Sequence, residues 1–312
     1  MTILDQAGRL FASGRAREGA ALVEQAAARG DGEALFALAN WRLYGLNGAQ
    51  DLAATHRLLA QAAAAGHGEA LRLRARLIGN GTGVSEDAAE ARRLLAPLAA
   101  THPAVADELA LADAPAPTPQ APQHLADTPR VERIDNFLSR AECDYLIARA
   151  TPRLQPSTIV DPASRRRMPH PFRTSLGINF GPAHEDLVVR LIDRRIADAT
   201  GTAIEAGEPL HVLAYAPGQE YRPHLDALPG AANQRVLTVL LWLGGDYDGG
   251  ETDFPAPGVR VRGEPGDALI FSNVTAEGRA DERSRHAGLP VTRGRKWLAT
   301  RWIRQAPVSP FA

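Results

Sequence analysis

The chain has 312 residues, enough for two domains with their own cores. Its formal net charge of −1 gives no bulk attraction to nucleic acid or an anionic membrane surface, and no apolar run is long enough to span a bilayer. Cys143 is the only cysteine, so no intrachain disulfide forms, and Met1 to Ala20 carry charges throughout without the apolar core of a secretory leader. A cytoplasmic protein with neither nucleic-acid nor membrane partners is the expectation.

The first 110 or so residues repeat. Gln25-Ala-Ala-Ala-Arg-Gly30-Asp-Gly-Glu-Ala-Leu35 recurs 36 residues later as Gln61-Ala-Ala-Ala-Ala-Gly66-His-Gly-Glu-Ala-Leu71, and a degraded third copy begins at Pro97. Gly stands where each helix should stop. A period in the mid-thirties with this Ala/Leu content predicts stacked helical hairpins, an α-solenoid over 1–111. Such a solenoid serves either as a protein-docking surface or as a cap on the next domain.

Residues 112–129 are rich in Pro and Ala and predict an extended linker. From 130 the pattern changes. Val131 to Phe137 alternate as a strand, and Ser139 with Glu142 forms a capping box for a helix through about Arg149. Arg165 to Arg173 read as a solvated basic loop, the alternative being a lid that attracts an acidic peptide. A second helix follows Pro182, with Leu187, Val188, Leu191, Ile192 and Ile196 on its apolar face. Strands are expected at 209–215, 235–243, 259–262, 267–272, 284–289 and 296–303, separated by Gly/Pro turns. Helices packed on a jelly-roll over 130–312 are the predicted arrangement.

Chemistry concentrates in this second domain. Of 35 basic residues only Lys296 is lysine. A compact ammonium suits a narrow pocket for one carboxylate where a planar guanidinium does not. In an extended strand His224 and Asp226 point the same way, a two-toothed metal clamp. Turn residues near 291 predict a hairpin that brings Lys296 opposite His286. Two His and one Asp form a facial triad with three open positions, suited to ferrous iron, although a zinc site or a structural polar cluster uses the same residues. In the last strand Lys296, Leu298, Thr300 and Trp302 share a face, where a buried cation needs an anion such as the C5 carboxylate of 2-oxoglutarate. The remaining histidines, His211 among them, fall on repeats, linker or loops and are not read as ligands. Cys143 reads as a small buried residue, and Trp242, Trp297 and Trp302 as core, the alternative for Trp302 being a place at the border of the cosubstrate pocket.

Two resemblances accompany this reading. Residues 1–111 resemble Sel1-like repeats, relatives of the tetratricopeptide repeat. Residues 131–304 resemble the prolyl 4-hydroxylase group of 2-oxoglutarate/Fe(II) dioxygenases. The matching stretches include Arg173-Thr-Ser175, Tyr215-Ala-Pro-Gly-Gln-Glu-Tyr221-Arg-Pro-His224-Leu-Asp226, Arg235-Val-Leu-Thr238, Gly249-Gly-Glu-Thr252 and Ser284-Arg-His286 through Lys296 to Trp302. The resemblance implies a double-stranded β-helix, with His224, Asp226 and His286 on Fe(II) and Lys296 on the C5 carboxylate. It further implies Tyr215 and Thr252 hydrogen-bonded to 2-oxoglutarate, Tyr221 beside the substrate, and O2 and ascorbate as further participants. The implied reaction hydroxylates an unactivated C–H, most simply of a prolyl residue in a peptide or protein docked by the repeats, with succinate and CO2 as coproducts. The alternatives are a hydroxylase of a free amino acid or small metabolite, or an interaction protein with an inactive oxygenase domain. The eight residues 227–234 between Asp226 and Arg235 are fewer than in collagen-type members.

Overall fold

The computed structural model describes residues 1–160, 167–169 and 172–311. The chain divides into two compact units. The first comprises Met1–Ala112 with Pro182–Arg190 and Phe311, and the second holds the remainder.

The first unit contains the helices Ile3–Ala12, Ala16–Ala28, Gly32–Tyr44, Leu52–Ala64, Gly68–Gly79 and Ala88–Ala99, each packed on the next, and then Pro103–Asp113. The sequence repeat reappears as repeated caps. Asp31 and His67, 36 residues apart, both accept from the backbone N–H three residues on, and so do Asp51 and Asp87. Gly30 and Gly66, with φ of +85° and +86°, turn the chain between paired helices. Ala26, Ala34, Ala62 and Ala70 are fully or almost fully buried, and their small side chains let the helices approach closely.

Residues 182–190 complete this unit although they lie far along the chain. Asn80 Nδ2 donates to the carbonyls of Pro182 (2.8 Å) and Glu185 (3.0 Å), and Arg190 pairs with Glu86 (2.8 Å) and Glu185 (3.0 Å). Leu187, 4% exposed, packs in a cluster with Ile78, Leu94, Leu95 and Val105. Leu187→Ala is therefore expected to destabilise the chain by about 2–5 kcal/mol, the usual cost of a buried Leu-to-Ala cavity. Chemical denaturation followed by helical circular dichroism checks this, and an unchanged midpoint would show that the segment contributes no packing.

In the second unit an eight-stranded sheet runs in the order Gln123–Asp127, Arg130–Ile134, Ala268–Ser272, Arg235–Gly244, Lys296–Arg304, Leu210–Tyr215, Leu176–Phe180 and Gln155–Pro156. A four-stranded sheet orders Val259–Val261, Thr252–Phe254, His286–Gly288 and Tyr221–His224. Their facing side chains share one core: Leu213, Trp242, Leu269, Phe271 and Leu298 from the large sheet, Phe254 and Val261 from the small one. This is a jelly-roll. The capping box at Ser139 and Glu142 is present, and the helix it starts runs Arg140–Ala150.

Several expectations need correction. Residues 123–127, read as linker, form a strand paired with Arg130–Ile134, and Gln120 N–H donates to the Asp135 carbonyl (2.9 Å). Edge pairing satisfies the backbone of a segment too polar to pack by its side chains. Leu191 is 37% exposed and leaves the predicted apolar face, whereas Val189 is buried. His211 lies within a strand, 8% exposed, and not on a loop. The hairpin joining His286 to Lys296 does not form. His286–Gly288 pairs with Tyr221–His224, Val291–Gly294 pairs with Tyr247–Gly249, and Lys296 pairs with Tyr215 in the other sheet. Pro290 cannot donate to a ladder, and Gly294 (φ +72°) turns the chain again, so three short strands replace one hairpin. The basic stretch 165–173 falls partly outside the described residues, as does His170.

Candidate active site

The two histidines meet through the sheet. His224 ends one strand, His286 begins another, and the two are register partners across an antiparallel pair, with ring centroids 4.3 Å apart. Asp226 follows two residues after His224 and is 4% exposed. One ligand atom from each of the three lies within 4.8 Å of the others. His224 Nε2 is 3.6 Å from Asp226 Oδ1, and His286 Nε2 is 3.7 Å from Asp226 Oδ2.

Backbone carbonyls set the tautomers. His224 Nδ1 donates to the Arg222 carbonyl (2.8 Å) and His286 Nδ1 to that of Ser284 (3.0 Å). With the proton on Nδ1, each Nε2 keeps its lone pair toward Asp226, the outer-shell arrangement typical of metal-bound imidazole. Burial pushes the Asp226 carboxyl up, but the interactions with His224, His286 and Arg235 outweigh it and hold the group well below the usual carboxylate range. Burial brings the His286 imidazole down to about 4, against the opposing pull of Asp226, so it stays neutral. A neutral imidazole and an ionised carboxylate are the forms a divalent metal requires. The donor set therefore fits a ferrous ion.

The same cleft holds the other predicted residues. It is lined by Tyr215, Tyr221, Thr252 and Lys296 together with His224, Asp226 and His286. Lys296, 3% exposed, donates from Nζ to the Gly250 carbonyl (2.7 Å), and Nζ stands 5.6 Å from the centre of the Tyr215 ring. Burial lowers its ammonium to about 8, with Glu251 opposing. Burial raises the Tyr215 hydroxyl and pushes that of Tyr221 up to about 12, so both remain protonated donors. Tyr221 stacks on His224, ring centroids 3.4 Å apart and planes at 17°. Leu298, Thr300 and Trp302 also line the cleft, as the alternation of the last strand predicts.

Residues 210–304 match the family model of the 2OG-Fe(II) oxygenase superfamily. "Prolyl 4-hydroxylase 1" of Arabidopsis thaliana is 37% identical over 207 residues, 60% of this chain and 73% of the relative. The chain belongs to the 2OG-Fe(II) oxygenase superfamily. "Probable prolyl 4-hydroxylase 10" of the same plant is 37% identical to the oxygenase over 200 residues, 56% of this chain and 69% of that one. Among solved structures, a viral collagen prolyl hydroxylase of Paramecium bursaria Chlorella virus-1 is similar with 27% identity and a TM-score of 0.46, over 56% of this chain and 96% of the viral one. The oxygenase uses Fe(II), 2-oxoglutarate and O2.

The structure brings to the site several residues not expected to line it. Arg173, read as the end of a solvated basic loop or lid, lines the cleft with its guanidinium 5.4 Å from the Tyr221 ring centre. Arg235 lies 4.0 Å from the centre of the Trp302 ring and is gripped by both carboxylate oxygens of Glu208, at 2.6 and 2.7 Å. Thr238 donates to Asp226 Oδ2 at 2.7 Å. Its signal was a hydroxyl on the strand face otherwise occupied by Leu240 and Trp242. Cys143 is buried, its thiol pushed up to about 12 mainly by desolvation, and takes no part in the site.

Proposed function

We propose that the oxygenase hydroxylates a prolyl residue of a peptide or protein, consuming 2-oxoglutarate and O2 and releasing succinate and CO2. The observation that carries this reading is one cleft holding both the His224, Asp226 and His286 donor set and the chain's only lysine, buried. The relatives named as prolyl 4-hydroxylases supply the substrate class. His224, Asp226 and His286 would hold the metal, and when bound the ferrous ion supplies the electrons that activate O2. Ascorbate would serve as the reductant that keeps the iron ferrous.

The residues of the chain do the positioning. Lys296 would meet the C5 carboxylate of 2-oxoglutarate as a charge-assisted partner, with the hydroxyls of Tyr215 and Thr252 donating beside it. Tyr221, held flat on His224, would form the wall against which the substrate rests. Apolar Leu213, Leu240 and Leu298 line the same cleft and exclude water from the reacting centre. We read the N-terminal helices as a solenoid of Sel1-like hairpins that docks the substrate protein, a reading supported by their 36-residue repetition of caps.

Incubation with proline-containing peptides, with succinate measured alongside peptide mass, tests the substrate class. A gain of one oxygen atom on proline is expected. Oxidation of free proline with none in any peptide would transfer the assignment to small-molecule hydroxylation.

A pH dependence follows from Lys296. Its ammonium, lowered to about 8 by burial, is charged below that pH and loses its proton above it. Only the charged form attracts a carboxylate. The KM for 2-oxoglutarate is expected to be flat below about pH 8 and to rise above it, with kcat less affected. A KM that is constant from pH 7 to beyond pH 9 would separate Lys296 from cosubstrate binding.

A further inference from the structure

We infer that Thr238 and Asn273 form a directional hydrogen-bond chain that holds Asp226 so that it offers the metal a single oxygen, making both of them positioning residues. The inference rests on reading His224, Asp226 and His286 as the ferrous ligands.

Thr238 lies in the strand Arg235–Gly244, and Asn273 just beyond the neighbouring strand Ala268–Ser272, both fully buried. Thr238 Oγ1 donates to Asp226 Oδ2 (2.7 Å), and Asn273 Nδ2 donates to Thr238 Oγ1 (2.9 Å). Asn273 is itself pinned by its backbone, its N–H on the Val236 carbonyl (2.9 Å) and its own carbonyl accepting from Asp281 N–H (3.0 Å).

The direction of the chain is forced. An ionised carboxylate only accepts, and a hydroxyl has one proton. The Thr238 proton must therefore point at Asp226, which leaves Oγ1 as an acceptor and requires Asn273 to face it with its amide nitrogen. Asn273 Oδ1 has no hydrogen-bond partner among the described residues. A buried acceptor left unpaired is unfavourable, so the amide is oriented by what Thr238 needs rather than by its own satisfaction. Reversing it would set its oxygen against the lone pairs of a hydroxyl whose proton is already committed.

Two consequences follow for the metal. The carboxylate cannot rotate without breaking a buried hydrogen bond, and Oδ2 already has one acceptor direction taken. Binding through both oxygens would use a coordination position that 2-oxoglutarate and O2 need. The chain thus protects the open positions of the site.

The test compares Fe(II) affinity, by anaerobic chelator competition, and the visible spectrum of the Co(II)-loaded protein in wild type, Thr238→Val, Thr238→Ala and Thr238→Ser. Val removes the hydroxyl at nearly constant shape, and Ala and Ser differ chiefly by that hydroxyl, so the second pair decides the matter should Val not fold. Loss of the hydroxyl is expected to weaken the metal about 10- to 100-fold, the usual cost of removing an outer-shell partner, and to change the Co(II) spectrum. Ser should restore both, and Asn273→Ala should cost less than Thr238→Val because the hydroxyl remains but loses its direction. If Thr238→Ala binds metal as tightly as Thr238→Ser, or Ser fails as badly as Ala, the positioning inference is overturned. If the wild-type chain binds no metal, or Asp226→Ala binds as well as wild type, the ferrous-site reading fails first and this inference falls with it.

Discussion

Asp226→Ala is expected to abolish 2-oxoglutarate turnover, by well over a hundredfold. Asp226 supplies the only carboxylate of the three-residue donor set, and its oxygens lie 3.6 and 3.7 Å from the two imidazole Nε2 atoms. Removing even an outer partner of a metal ligand costs about 10–100-fold in affinity or activity, so removing a charged ligand costs more. Succinate formation with and without a chelator is the measurement. Full activity in Asp226→Ala, or turnover that survives complete metal removal, would refute the assignment. The histidine variants His224→Ala and His286→Ala should behave alike, because each donates from a strand position paired with the other.

The second large effect is at Lys296. Lys296→Ala is expected to raise the KM for 2-oxoglutarate by about thirtyfold or more, with Fe(II) affinity retained. Truncating one partner of a buried charge pair costs at least about 2 kcal/mol, and each 1.4 kcal/mol is about a factor of ten. Lys296→Arg should also weaken binding, because the Lys296 side chain lies against Gly250, and a wider planar fork does not fit where an ammonium does. Arg301 is no substitute, since its guanidinium is committed to Asp193 (2.9 Å) and to the carbonyls of Glu208 and Ile204. Titration of 2-oxoglutarate into metal-loaded variants decides the point. An unchanged affinity in Lys296→Ala would remove Lys296 as the anchor.

Much of this protein was legible in its sequence because the relevant signals are local. The 36-residue period places Gly30 and Gly66 where helices stop, and the structure turns the chain at both with positive φ. Alternation along the last strand puts Lys296, Leu298, Thr300 and Trp302 on the cleft side by geometry alone. The HxD clamp is likewise a two-residue pattern. What depends on pairing between distant strands was not legible. Nothing near residue 286 says that its partner is residue 224 and not 296, because register is decided by which sheet buries which face. The same holds for Pro182–Arg190, which look like the start of a catalytic-domain helix yet fill the helical unit through Leu187 and Asn80. Thr238 and Asn273, 35 residues apart, become a hydrogen-bond chain to Asp226 only when two neighbouring strands stack behind it. The sequence by itself determined which donor and charged groups a site could draw on, since donor chemistry belongs to residue type. Only the tertiary structure decided how those atoms are aimed, because buried hydrogen bonds and strand register are made by residues far apart in the chain.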